Sequence, residues 1–331
     1  MRPFAYDRAT SPSAAVAAVT AAGPDTVFLG GGTNLVDLMR LGVARPAAVI
    51  DVSGLPLDAV DTLSDGGTLI GAAVRNSVLA ADPDLRRAYP VLSQALLAGA
   101  SGQIRTMATV GGNLLQRTRC GYFNDITKPC NKREPGTGCP ARTGVHRDLA
   151  VIGHSDACIA THPSDMAVAL SALDARVHVL GVGGPRVLGL DDFYRLPGDA
   201  PKWDTTLRHG ELITGVELPP PSELTRRSTY RKARDRASYA FAAGAVAAAV
   251  TVDGGTVTDA RISFGAIAHR PWRARLAEAA LIGGPTDAAA LGAALDRELD
   301  HAAPLPDNAF KVPLSRRLAV SALLGLIGGT R

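Results

Sequence analysis

The sequence predicts an α+β protein in two parts, and three observations carry that reading. Short apolar segments with strand character are interleaved with alanine- and leucine-rich helical segments over the first two thirds of the chain. The run Pro219, Pro220, Pro221 then breaks the pattern and is the best domain boundary. Beyond it a hairpin is followed by helices, which makes a smaller second α+β unit. The expected division is 1–220 and 222–331. With 331 residues, 46% of them hydrophobic and 20% charged, both parts have material for a core.

Taken in order, the N-terminal segment PSAAVAAVTAA follows Ser11 and opens on Pro12, the pattern of a helix start. It reads as an amphipathic surface helix with Val16 and Val19 turned inward, and not as the core of a signal peptide. No export signal is evident, so the cytoplasm is the expected compartment, with export beside a partner subunit compatible. Structural disulfides are then not expected of the four cysteines. The formal charge of +4 is small and scattered, so no nucleic-acid partner is expected. The longest apolar run, 239–252, is shorter than the ~20 residues of a membrane-spanning helix. It reads as a buried strand, and no membrane span is expected.

From residue 27 the chain reads VFLGGGTNLVDLMR: a strand, three glycines, then a helix with Leu35, Leu38 and Met39 on one side. Glycines lacking Cβ let backbone amides approach a phosphate, and a helix N-terminus favours negative charge. A second strand, AAVIDV, ends near Asp51, as in a Rossmann fingerprint, but Leu35 stands where the third glycine of that fingerprint belongs. TLIGAAV reads as a strand, and a helix is expected over about 90–100. A second tight glycine turn follows in TMATVGGNLL, with Thr109, Gly111, Gly112 and Asn113. Either turn alone is weak; two of them, each with Thr and Asn, suit one long diphosphate ligand gripped from two sides.

All four cysteines, Cys120, Cys130, Cys139 and Cys158, lie just beyond that turn, with nine, eight and eighteen residues between them. No gap matches a zinc ribbon, a thioredoxin motif or the common ferredoxin spacings. Four thiolates in a Gly- and Pro-rich loop suit an iron-sulfur cubane. Structural zinc and unliganded cysteines stay open. Residues 117–147 carry seven Lys or Arg against two acids, an excess that would offset an anionic cluster. In HPSDMAVALSAL, Ser164 and Asp165 have the look of an ordinary cap and first turn. ARVHVLG and ELITGVELP read as strands, with His178 facing outward. The C-terminal part reads as strands through STYRKARDRASYAFAAGAVAAAVTV and ARISFGAIA joined by the DGG turn at 253–255, then helices near 273–281, 287–299 and 315–326.

GGGTNL and TVGGN, in that order and at that separation, resemble the two flavin-holding loops of the FAD-binding (medium) subunit of the molybdenum hydroxylase or xanthine dehydrogenase family. The cysteine-bearing insert, about 116–158, is similar to that of the aldehyde oxidoreductase branch, whose flavin subunit carries an extra 4Fe-4S cluster. The resemblance implies an FAD-binding domain of the PCMH type over 1–220 and a C-terminal domain of the CO dehydrogenase flavoprotein type over 222–331. It implies FAD held by Leu29, Gly30, Gly31, Gly32, Thr33, Asn34 and Leu35 on one side and by Thr109, Gly111, Gly112 and Asn113 on the other. Asp165 matches the family's cofactor-contacting Asp, and Lys232 its lysine near the flavin ring. Cys120, Cys130, Cys139 and Cys158 match the cluster ligands.

The function so implied is electron transfer. A large molybdenum-cofactor subunit oxidises an aldehyde, a small 2Fe-2S subunit relays the electrons, and FAD on this chain passes them to an external acceptor; no residue here acts as acid or base on the substrate. The alternatives are the FAD subunit of a xanthine dehydrogenase-like enzyme and a stand-alone flavin oxidoreductase with a structural metal. A zinc-stabilised binding module is a third, from another class.

Overall fold

A computed structural model describes residues 1–329. It holds three sheets. The first is small and wholly parallel: Ala48–Asp51 lies between Ala5–Arg8 and Thr26–Leu29. Helix Pro12–Ala22 makes the first crossover, with Ser11 Oγ accepting from the Ala14 amide at 3.1 Å and Val16 and Val19 buried as expected. Asp51 ends the central strand and accepts from Tyr6 Oη at 2.6 Å, from the Ser53 amide at 2.8 Å and from Arg8 at 3.3 Å. Burial alone pushes its carboxyl up; these bonds outweigh it and bring the pKa down to about 2.

The second sheet is antiparallel throughout, with Val60–Thr62, Thr68–Gly71, Leu212–Leu218, Arg176–Gly181 and Gly184–Gly189 side by side in that order. The strand expected through Val74 stops at Gly71, where a Cβ would stand 2.1 Å from the Leu57 carbonyl oxygen and the chain turns away. His178 sits half-buried on its strand and bonds Glu217 across the ladder at 2.7 Å. Helices Pro90–Ala98 and Asp165–Ala172 supply most of the apolar cover for this core.

The third sheet follows the prolines: Trp272–Arg273, Thr256–Gly265, Gly244–Asp253 and Ser228–Ala233. Its hairpin turns on Gly254 and Gly255, both at positive φ as a two-residue turn of this hand requires. Helices Arg275–Leu281, Ala288–Leu299 and Lys311–Gly328 cover it, close to the three expected. The run expected as one strand over 239–252 is a strand only from Gly244. It is apolar on both sides because Val246, Ala248 and Val250 face the C-terminal helices while Ala245 and Ala247 face the N-terminal core. Residues 239–243 belong instead to a loop in which Tyr239 has φ +53°. No helix among the described residues is long and apolar enough to cross a membrane.

The cysteine-bearing insert has little regular structure, only the short helix Gly121–Asn124 and a 3-10 turn at Pro140–Arg142. Side chains fasten it: Asn308 Nδ2 donates to the Ala150 carbonyl at 3.2 Å, Lys311 Nζ to the Leu149 carbonyl at 3.0 Å, and Arg147 pairs with Asp235 at 3.0 Å.

Candidate functional site

The two glycine segments touch. A Cβ on Gly31 would lie 1.9 Å from the Met107 carbonyl oxygen, and one on Gly30 would lie 3.0 Å from Thr109 Oγ1. Gly31 is therefore required by backbone packed on backbone, while Gly30 lies against a side chain. Asn34 Oδ1 adds a tie by accepting from the Arg117 amide at 2.9 Å. Gly32 turns the first loop at φ +74°; Leu29 closes its strand and Leu35 opens its helix. The second segment is not the tight turn expected from TVGGN. Gly111, Gly112 and Asn113 lie in the short helix Val110–Leu114, whose N-cap Thr109 accepts from the Gly112 amide at 3.2 Å. Gly111 packs against Ala72, where a Cβ would come within 3.1 Å.

Beside this junction opens a cavity of about 480 Å³. Of the expected residues, Thr33, Asn34, Gly112, Asn113, Asp165 and Lys232 line it; Leu29, Gly30, Gly31, Gly32, Leu35, Thr109 and Gly111 do not. A second cavity of about 260 Å³ shares Arg119, Pro163, Asp165, Ala240 and Phe241 with the first, so the two are adjacent.

Asp165 and Lys232 form one unit. Lys232 Nζ donates to Asp165 Oδ2 at 2.9 Å and to the Ala98 carbonyl at 3.1 Å; Tyr230 donates to Asp165 Oδ1 at 2.5 Å. Burial, with Asp165 next, raises the Tyr230 hydroxyl pKa well above its usual value. Ser164, not Asp165, caps the helix, accepting from the Ala167 amide at 3.0 Å, and it also meets Asn113 Oδ1 at 2.5 Å. The sequence reading passed over Asn76, Gln116, Arg119, Arg236, Tyr239 and Phe241, which also line the cavity. Gln116 and Arg119 follow directly after TVGGN, and two aromatic residues in an otherwise polar loop after Lys232 were a usable signal.

The lining fits a flavin dinucleotide. Asn34 Nδ2 and Asn76 Oδ1 are buried without partners, one a free donor and the other a free acceptor, on residues that face the cavity. Arg119 adds a cation, lying 5.0 Å above the Phe241 ring and 3.3 Å from Asp37.

The four cysteines converge on one small apolar pocket of about 10 Å³, which Lys132 also lines. Backbone amides serve the sulfurs: those of Phe123 and Tyr122 act on Cys120, those of Ile159, Ala141 and Arg142 on Cys139, and that of Ala160 donates to Cys158 at 3.5 Å. Burial pushes the Cys120 and Cys139 thiols up and takes Cys158 to about 12, where Lys132 pulls the other way. Among the described residues no three of His, Cys, Asp and Glu stand close enough to enclose a single metal ion. Four thiols with backbone amides aimed at them are a donor set that would suit a cubane cluster.

Fold and site are those of a flavoprotein subunit of an oxidoreductase. The chain belongs to the FAD-binding subunits of the molybdenum hydroxylase family: the model for the FAD binding domain in molybdopterin dehydrogenase matches residues 2–221, and that for the CO dehydrogenase flavoprotein C-terminal domain matches 228–325. It is 49% identical over 324 residues to the aldehyde oxidoreductase FAD-binding subunit PaoB of Escherichia coli K12, covering 98% of each chain. It is 26% identical to the carbon monoxide dehydrogenase medium chain of Afipia carboxidovorans, covering 92% of this chain and 88% of that one. Among solved structures, the fold is shared with reconstituted CO dehydrogenase from Oligotropha carboxidovorans, at TM-score 0.76 and 23% identity over 97% of this chain and 96% of that one.

Proposed function

We propose that this chain is the FAD- and 4Fe-4S-carrying electron-transfer subunit of a molybdenum-dependent aldehyde oxidoreductase. Its partners in this reading are a large molybdenum-cofactor subunit and a small 2Fe-2S subunit. The observation that carries the aldehyde reading is the 49% identity to an aldehyde oxidoreductase subunit along nearly the whole chain, against 26% to a carbon monoxide dehydrogenase chain and 24% to a xanthine dehydrogenase one. Bound FAD supplies the redox chemistry by taking electrons from the molybdenum side and giving them to an external acceptor. The chain's own residues bind and orient it. Thr33, Asn34, Gly112 and Asn113 are suited to the diphosphate, and Asp165 with Lys232 offers a fixed ion pair at the cavity wall. We take 1–220 as the flavin domain and 222–331 as the C-terminal domain of the CO dehydrogenase flavoprotein type.

The cluster half of the reading is supported by four cysteine sulfurs on one pocket, by amides aimed at them, and by a basic surround. Cys120, Cys130, Cys139 and Cys158 are the proposed ligands. Anaerobic affinity purification from the native host tests both halves. The expected preparation contains stoichiometric FAD, iron and acid-labile sulfide, together with a larger and a smaller protein, and is reduced by aromatic or aliphatic aldehydes. A preparation with zinc and no sulfide would remove the cluster, and reduction by xanthine in preference to aldehydes would favour the xanthine dehydrogenase-like alternative.

A further inference from the structure

Residues 117–147 hold seven Lys or Arg, and of these only Lys132 is buried, its side chain 1% exposed. An ammonium has three protons, and here each meets an acceptor: the Pro201 carbonyl at 2.8 Å, Asp204 Oδ1 at 2.5 Å and His269 Nε2 at 2.7 Å. His269 accepts because its other nitrogen faces the Arg195 carbonyl at 3.2 Å and takes the proton there. Burial, with Lys132 next, drops the His269 pKa to about 4, so the imidazole is neutral near pH 7. Asp204 also pairs with Arg117 at 2.6 Å. One carboxylate thus answers two cations, and the surplus positive charge lies against the pocket that holds the four sulfurs.

Lys132 is paired, but its one carboxylate is shared with Arg117, so the net local charge stays positive and favours an anion on the side of Lys132 that lines the sulfur pocket. Resting on the cluster reading above, we propose that Lys132 is a positioning residue that sets the reduction potential of an iron-sulfur cluster on Cys120, Cys130, Cys139 and Cys158, with Asp204 and His269 holding its ammonium in place. One-electron reduction adds a negative charge to the iron-sulfide core and changes no bond. A fixed cation favours that form and raises the potential. The plainer role is a clip: Lys132 ties the insert to residues 195–204 and to His269, and a clip needs no particular sign of charge.

The test uses the assembled, anaerobically purified complex with Lys132→Met and, separately, Asp204→Asn. Iron and sulfide are assayed in each sample, and the cluster midpoint is read by EPR during dithionite titration with mediators. Lys132→Met is expected to move the midpoint negative by at least tenfold in the one-electron equilibrium, about 59 mV. Asp204→Asn, which removes a negative charge and leaves the lysine, is expected to move it the other way. Midpoints equal to wild type, or shifts of the same sign, overturn the proposal with the cluster intact. Loss of iron and sulfide from both variants overturns it in favour of the clip. Wild-type protein without iron and sulfide overturns the cluster reading itself and this proposal with it.

Discussion

Gly31 shows how a single residue type can be right for a reason the sequence does not display. GGGTNL suggests glycines cleared for a ligand, yet a Cβ at Gly31 would strike the Met107 carbonyl oxygen, not the cavity. Gly31→Ala must therefore push the two flavin segments apart. Overpacking costs about 1–3 kcal/mol, and because backbone is the obstacle the upper end is expected. The prediction is a urea midpoint lowered to match and purified protein with little flavin, read from the visible absorbance per chain. Gly112→Ala is the contrast, since there the nearest atom is Thr109 Oγ1 at 3.0 Å, a side chain able to rotate; most of its flavin should be retained. At this scale the sequence exposed Thr33, Asn34, Gly112, Asn113, Asp165 and Lys232, all of which reach the cavity wall. It did not expose Asn76, because that residue sits in no patterned motif and only the folded chain brings it to the same wall.

Between elements, the ion pair of Asp165 and Lys232 joins the first turn of helix Asp165–Ala172 to strand Ser228–Ala233. Both side chains are buried, at 10% and 4% exposure, so removing one leaves the other charged and poorly matched. Lys232→Met is expected to lose about 3–5 kcal/mol of unfolding free energy. The double variant Asp165→Asn, Lys232→Met leaves no unmatched charge and keeps an acceptor for Tyr230, so it should regain more than half of that loss. If the pair also serves the flavin, the double variant will regain stability in urea and not regain FAD, and a parallel return of both would assign the pair to stability alone. The helices and hairpin of this region were legible because capping residues and a two-glycine turn mark them locally. The start of strand Gly244–Asp253 was not: alanine-rich sequence reads alike in a two-sided strand and in the loop before it, and only packing against both cores separates them.

Across the whole molecule, the cysteine-bearing insert is wedged against the C-terminal part, and Lys311 is the group that most directly joins them. It is fully buried, donating to the Leu149 carbonyl of the insert at 3.0 Å and to the Ala266 carbonyl at 2.6 Å. None of this was readable from the sequence, where Lys311 stands as one more charge before a helix. Burial lowers its pKa from 10.5 to about 8, with Asp148 opposing the shift. The unfolded chain therefore holds this proton up to pH ~10.5 while the folded one releases it near 8, so between those values the unfolded state binds more protons and stability rises with pH. At 1.36 kcal/mol per unit, the ammonium destabilises the fold by up to about 3 kcal/mol below pH 8, and the penalty fades as pH climbs to 10.5. Lys311→Met has no such proton. The wild-type advantage over that variant, measured by urea denaturation at matched ionic strength, is expected to grow by about 3 kcal/mol between pH 7.5 and 10.5. A difference that stays level across that range would mean that the lysine is accommodated as a charged group, with its two carbonyl partners offsetting the loss of water, and that the seam between insert and C-terminal part is not the place where this fold is sensitive to alkali.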